Sequence, residues 1–163
     1  MKKRSIVLGY FGMMVTSIFL IGCGSLKPPT SIKNDVIENY QYFFITPTNS
    51  LTSSSGATVN GQYYSSSKTV NPSDVITGNL TKRGMIRLPE LKPELSNETL
   101  IINYGESGKR KTGLGGYALE VTIQFVSSKA NSLVCSCTAE GQGSTEADDI
   151  REAITRCLNE LLL

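Results

Sequence analysis

From Tyr117 to Val126 the chain alternates without a break, with Tyr117, Leu119, Val121, Ile123 and Phe125 on one side and Glu120, Thr122 and Gln124 on the other. A period of two over this length does not suit a helix and predicts a strand with one face buried and one open. After a polar turn from Ser127 to Ser132, the residues Leu133, Cys135, Cys137 and Ala139 form a second inward face, so the two segments are expected to pair as an antiparallel hairpin. Whatever else the chain does, it must supply an apolar layer over that face.

Two helical segments are suited to that task. Thr145 precedes Glu146, Asp148 and Asp149, an N-cap with acids in the first turn, and Ile150, Ala153, Ile154, Cys157, Leu158 and Leu161 then recur at helical spacing. Asn71, Pro72 and Asp74 start an earlier helix in the same way, with Val75, Ile76 and Leu80 as its buried stripe and Gly84 as its stop. Strands are expected at Tyr40–Ile45 and Leu100–Tyr104, with a short extended piece at Met85–Leu88. In the first of these, Tyr42 and Phe44 point one way and Phe43 and Ile45 the other, so both faces need cover. Residues 48 to 70 are rich in Ser, Thr and Gly, and are expected to form a loop with a small hairpin around Asn60-Gly61. The expected fold is therefore α+β: a two-layer sandwich of an about four-stranded, mainly antiparallel sheet with both helices on one face and the Glu120 face free.

The N-terminus has a different character. Lys2, Lys3 and Arg4 precede an apolar run from Ile6 to Leu20, short of the roughly 20 residues a spanning helix needs, and Leu20-Ile21-Gly22-Cys23 closes it. This is the pattern of a bacterial lipoprotein signal, in which small Gly22 admits the processing enzymes and the Cys23 thiol takes the lipid. Residues 1–22 are thus expected to be cleaved, 23–31 to form a lipid-anchored tether carrying Pro28-Pro29, and 32–163 to form one domain. Gly24 rather than Asp follows the cysteine, and no acidic run comes after it, which favours the outer membrane and its periplasmic leaflet. Loss of the three basic residues takes the 16 Lys and Arg to 13 against 14 Asp and Glu, so the electrostatic argument for nucleic acid falls away. The chain has no His, which removes the commonest general base and metal ligand.

Taken together, Asn71-Pro72-Ser73-Asp74, the segment Thr99 to Gly108, the strand Tyr117 to Phe125 and the segment Ala139 to Arg151 resemble a family of small Gram-negative outer-membrane lipoproteins with a strand-helix-strand-strand-strand-helix domain. The resemblance spans nearly all of the chain after Cys23. It implies lipid attachment at Cys23 and no particular activity. More distantly, the layout is similar to envelope-assembly lipoproteins such as the partner of the lipopolysaccharide translocon, in architecture alone.

Few residues suggest chemistry. Gly105-Glu106-Ser107-Gly108-Lys109 approaches a phosphate loop, but Asn103 and Arg110 stand where Gly and Ser or Thr are needed, and a strand rather than a helix follows. Lys109, Arg110 and Lys111, followed by Gly113, Gly115 and Gly116, read as a solvated hairpin loop, with lipid phosphates or lipopolysaccharide as the functional alternative. Cys135 and Cys137 lie about 6.6 Å apart along one strand and cannot readily pair. Either could bridge to Cys157 in an oxidising compartment, against the simpler reading of three buried thiols. Glu140, Glu146, Asp148 and Asp149 are attributed to the helix dipole rather than to a cation, and Tyr40, Tyr42, Tyr63 and Tyr64 to packing under the serine-rich loop rather than to a glycan or peptide groove.

No catalytic set, metal site or cofactor is expected. The function expected is a non-enzymatic binding or assembly-accessory module, held at the membrane by lipid on Cys23, with an envelope protein, lipopolysaccharide or peptidoglycan as partner. A small periplasmic hydrolase or thiol redox protein, and a purely structural envelope component, are the alternatives.

Overall fold

In the computed structural model, residues 25–113 and 116–162 are described. Cys23 and residues 1–22, expected to be a signal segment, lie outside them. The strands are β1 (Thr30–Lys33), β2 (Tyr42–Ile45), β3 (Leu51–Val59), β4 (Gln62–Val70), β5 (Ile86–Arg87), β6 (Thr99–Lys111), β7 (Tyr117–Ser127) and β8 (Leu133–Gly141); the helices are α1 (Pro72–Lys82) and α2 (Glu146–Leu162).

The fold departs from the four-stranded two-layer sandwich expected from the sequence. It is mostly β, with one six-stranded mixed sheet of order β1-β8-β7-β6-β2-β5 and a separate two-stranded ribbon of β3 and β4. The β6-β7-β8 meander is antiparallel, as is β1 on β8, whereas β2 runs parallel to both β6 and β5. The short extended piece expected at Met85–Leu88 is β5, a two-residue edge strand, whereas β1 escaped sequence reading because its four residues, all exposed, are too few to show a period. β1 also takes its first two residues from the stretch expected to be free tether.

β7 and β8 form the centre. Leu119, Val121, Ile123 and Phe125 are fully buried and oppose Gly141, Ala139, Cys137 and Cys135 in register. A register shift after Phe125 puts Val134, not the expected Leu133, into the core. The α2 stripe from Ile150 to Leu161 covers this face, while Ile76 and Leu80 of α1 close the same core over Phe43, Ile45, Leu100 and Ile102. α1 begins as its sequence dictates: the Asn71 side chain accepts from Ser73 N at 3.1 Å, and Pro72 occupies the first turn.

The serine-rich stretch is not a loop. β3 and β4 pair over nine positions, from Leu51 opposite Val70 to Val59 opposite Gln62, around Asn60-Gly61. Both turn residues have positive φ, 51° and 77°, which suits the right-handed twist of a two-residue hairpin. Tyr63 and Tyr64 are exposed rather than packed beneath it, and the Tyr63 ring lies across Gly56, filling the space a side chain there would need. The ribbon is fastened near its base, where Ala147 N donates to Ser53 Oγ (2.9 Å) and Lys68 Nζ meets Asp148 Oδ2 (2.8 Å). Burial is thus confined to the base, where Val70 is buried and Leu51 opposite it half-buried, so neither a hydrophobic run nor a helix announces the ribbon in the sequence.

Candidate functional site

The polar groups of the domain converge at one end of the sheet, where β6 ends, β7 begins and β8 runs into α2. Lys109, Arg110 and Lys111 were expected in a solvated loop. They are instead the last residues of β6, paired with Leu119, Ala118 and Tyr117. The glycine-rich motif before them lies within the same strand and is interrupted by a register shift between Glu106 and Gly108, so it forms no phosphate loop.

Arg110 and Glu140 make the strongest polar contact at this end. The guanidinium grips the carboxylate at two points, Nε to Oε1 at 2.7 Å and Nη2 to Oε2 at 2.6 Å. The Glu140 side chain is only 4% exposed. Its two oxygens would be costly to bury without these donors. A third donor comes from far away in sequence: the backbone N of Lys27 reaches Glu140 Oε2 at 2.9 Å. Arg110 Nη2 also donates to the Ser25 carbonyl at 3.3 Å, and Arg156 of α2 donates through Nη2 to the Lys27 carbonyl at 2.7 Å and through Nη1 to the Glu140 carbonyl. Residues 25–27 are therefore strapped to the domain by side chains from β6, β8 and α2. Glu140, assigned from the sequence to the helix-dipole group, is part of no helix; it precedes α2 and anchors the strap. A charge at position 140 on the open face of a strand gave no hint of a partner 30 residues earlier.

The hydrogen bond and charge of Arg110 hold the Glu140 carboxyl down at about 2, against the desolvation that would raise it. A folded-state value below the ordinary one contributes stability that is present above about 4.5 and is lost as pH falls from there to about 2. Glu140→Gln should cost about 2 kcal/mol at neutral pH, because Arg110 and the Lys27 amide lose their charged acceptor. In urea titrations from pH 7 to pH 2, the gap between wild type and variant should close across that window. A constant gap would remove Glu140 from the acid response. The comparison with the variant matters because buried Asp149, whose carboxyl is pushed up by desolvation, acts in the opposite direction.

The other acids of the expected dipole group are each engaged. Glu146 Oε1 lies 2.6 Å from Lys109 Nζ, Asp148 takes Lys68, which lowers its carboxyl, and Asp149 accepts from the Gly143 amide. Among the cysteines, Cys137 on β8 is bonded to Cys157 on α2, with Cα atoms 5.6 Å apart, and Cys135 is a buried free thiol. Burial pushes the Cys135 thiol up to about 12, so its thiolate is scarce at neutral pH. Of the tyrosines, Tyr40 packs against the core and Tyr42 is half-buried on β2, while Tyr63 and Tyr64 stand on the ribbon, so the four form no common groove.

No protein-family model and no curated protein matches this chain. Solved structures do. The chain is similar to a point variant of the PelC dodecamer from Paraburkholderia phytofirmans, with a TM-score of 0.50 and 14% identity over 82% of this chain and 95% of that one. Against a second PelC dodecamer structure from the same organism, the TM-score is 0.45 at the same identity, over 80% and 95%. At this identity the likeness is one of fold. Among the described residues, no helix is long and apolar enough to cross a membrane.

Proposed function

We propose that the chain is an envelope lipoprotein, anchored by lipid on Cys23, whose domain is a non-enzymatic binding or assembly module. The observation that carries this reading is the basic, then apolar N-terminus ending in Leu20-Ile21-Gly22-Cys23. It is supported by the use of the polar side chains at the sheet end, where Arg110, Glu140 and Arg156 hold the residues just after Cys23 against the domain. The high position of the Cys135 thiol weighs against a redox centre there. With three acyl chains at about 0.8 kcal/mol per buried methylene, attachment would be permanent on the time scale of the cell. The lipid would face the periplasmic leaflet of the outer membrane, and an envelope protein, lipopolysaccharide or peptidoglycan would be the partner.

Two experiments test this. Cys23→Ser should abolish incorporation of labelled palmitate and leave the precursor uncleaved on gels; normal maturation of the variant would remove the anchor. The similar PelC structures are dodecamers, and the same behaviour is proposed here as self-association of this chain. Mild crosslinking of native membranes, followed by sizing in detergent, should then give bands at multiples of the subunit mass, and a single monomer band would exclude self-association.

A further inference from the structure

We propose that the end of the sheet bearing Lys27, Lys109, Lys111 and Tyr117 rests on the phospholipid headgroups of the bilayer, held there by the strap that Arg110, Glu140 and Arg156 make over residues 25–27. The proposal rests on lipid attachment at Cys23. Covalent geometry then decides where the lipid must be. Ser25 is fixed, its carbonyl 3.3 Å from Arg110 Nη2. Two residues span at most about 7 Å, so the Cα of Cys23 lies within that distance of the Cα of Ser25, wherever the intervening residue turns. A tether of 23–31 free to swing would leave the domain with no preferred orientation. Strapped from Ser25 onward, it ties the lipid to one end of the molecule.

The chemistry of that end fits a headgroup layer. The Lys27 side chain is 64% exposed, and its ammonium is only loosely engaged, 3.8 Å from Glu140 Oε1. Lys111 is exposed at the end of β6. Beside it Tyr117 is 40% exposed, with the Lys109 ammonium 5.2 Å from the centre of its ring. Exposed lysines can reach lipid phosphates while their stems and a tyrosine ring lie in the interfacial layer. A shallow crevice lined by Lys109, Arg110, Lys111, Thr112 and Tyr117 opens at the same place. The Ser127–Leu133 turn lies at the other end of β7, about 33 Å away by strand rise, and carries Lys129.

Lysine acetylation on the intact lipoprotein tests this, with Lys129 as internal reference. The mature protein is reconstituted into vesicles of phosphatidylethanolamine and phosphatidylglycerol and treated with a water-soluble acetylating reagent, and modified lysines are quantified by mass spectrometry. Lys27 and Lys111 should react at least five-fold more slowly on vesicles than after dissolution in detergent above its solubilising concentration and dilution of the lipid, while Lys129 changes less than two-fold. Equal rates for Lys111 and Lys129 on vesicles would overturn the proposal. The same spectra report the Cys23 peptide: lipidation present with no protection overturns the orientation alone, whereas an unlipidated, uncleaved N-terminus overturns the anchor and the orientation with it. A Gly-Ser insertion of about ten residues between Gly24 and Ser25 leaves every strap contact intact and moves the domain off the surface. Protection of Lys111 should then fall at least three-fold, and undiminished protection would show that the strap does not set the contact.

Discussion

Gly141→Ala should destabilise the domain by about 3 kcal/mol, lowering the thermal midpoint by about 10 °C. Gly141 ends β8 opposite Leu119, where the backbone of α2 lies directly over the strand. A β-carbon built there collides with the carbonyl oxygen of Asp149 and comes within 2.7 Å of the Ala153 amide nitrogen. Both are backbone atoms of the first turns of α2, so no side chain can swing aside. The helix has to lift away from the strand, opening the core around Ile150, Ala153 and Ile154. Gly105→Ala on β6 is the control, because nothing lies within 4 Å of a β-carbon at that position, and its midpoint should stay within about 2 °C of wild type. Thermal unfolding followed by circular dichroism measures both. A midpoint for Gly141→Ala equal to that of Gly105→Ala would mean that β8 and α2 are not in such close contact.

Cys157→Ala should cost about 3 kcal/mol. The bridge to Cys137 closes a loop of 20 residues, and the stabilisation expected from restricting the unfolded chain over such a loop is about that size. Both sulfurs are buried between β8 and α2, so the substitution also leaves a small void. The decisive measurement is unfolding with and without reductant. Wild type should weaken in reductant almost to the level of Cys157→Ala, whereas the variant should be indifferent to it. Cys135→Ala should retain the full response to reductant, since Cys135 takes no part in the bridge. Loss of that response in Cys135→Ala would reassign the pairing.

The two substitutions probe the same seam from different sides, and the seam carries the strap. α2 carries Arg156, whose guanidinium holds the Lys27 carbonyl, and β8 carries Glu140, which holds the Lys27 amide. In the proposed anchoring through Cys23, what keeps α2 against β8 also sets how the domain stands on the membrane. A variant in which the seam loosens should lose the orientation before it loses the lipid.

Legibility in the sequence followed the amount of side-chain burial in each element. β7, the α2 stripe and the Asn71 cap were readable because each buries or caps through its own residues. The ribbon was under-read for the opposite reason: its nine pairs are mostly Ser, Thr, Tyr and Lys and show little contrast between faces, and only the positive-φ pair Asn60-Gly61 marked its turn. The edge strands β1 and β5 are held by backbone pairing to β8 and β2 and present no periodic face of their own. At the candidate site, the basic triplet was visible as charge, yet its division of labour was not. Arg110 is locked to Glu140, Lys109 meets Glu146, and Lys111 stands exposed, a partition set by strand register and by the shift at Glu106.

Sequence by itself determined that a buried hairpin from Tyr117 to Ala139 would be covered by an amphipathic C-terminal helix, because period-two and helical patterns state locally which side chains leave water. It also carried the lipoprotein-like N-terminus, whose reading depends on residue chemistry alone. Tertiary structure decided the six-stranded mixed sheet, the free-standing ribbon, the choice of Cys137 over Cys135 for Cys157, and the strap over residues 25–27. Each of these depends on pairings between distant backbone segments or on the three-dimensional meeting of charges, such as Lys27 with Glu140, and separation along the chain does not encode such proximity.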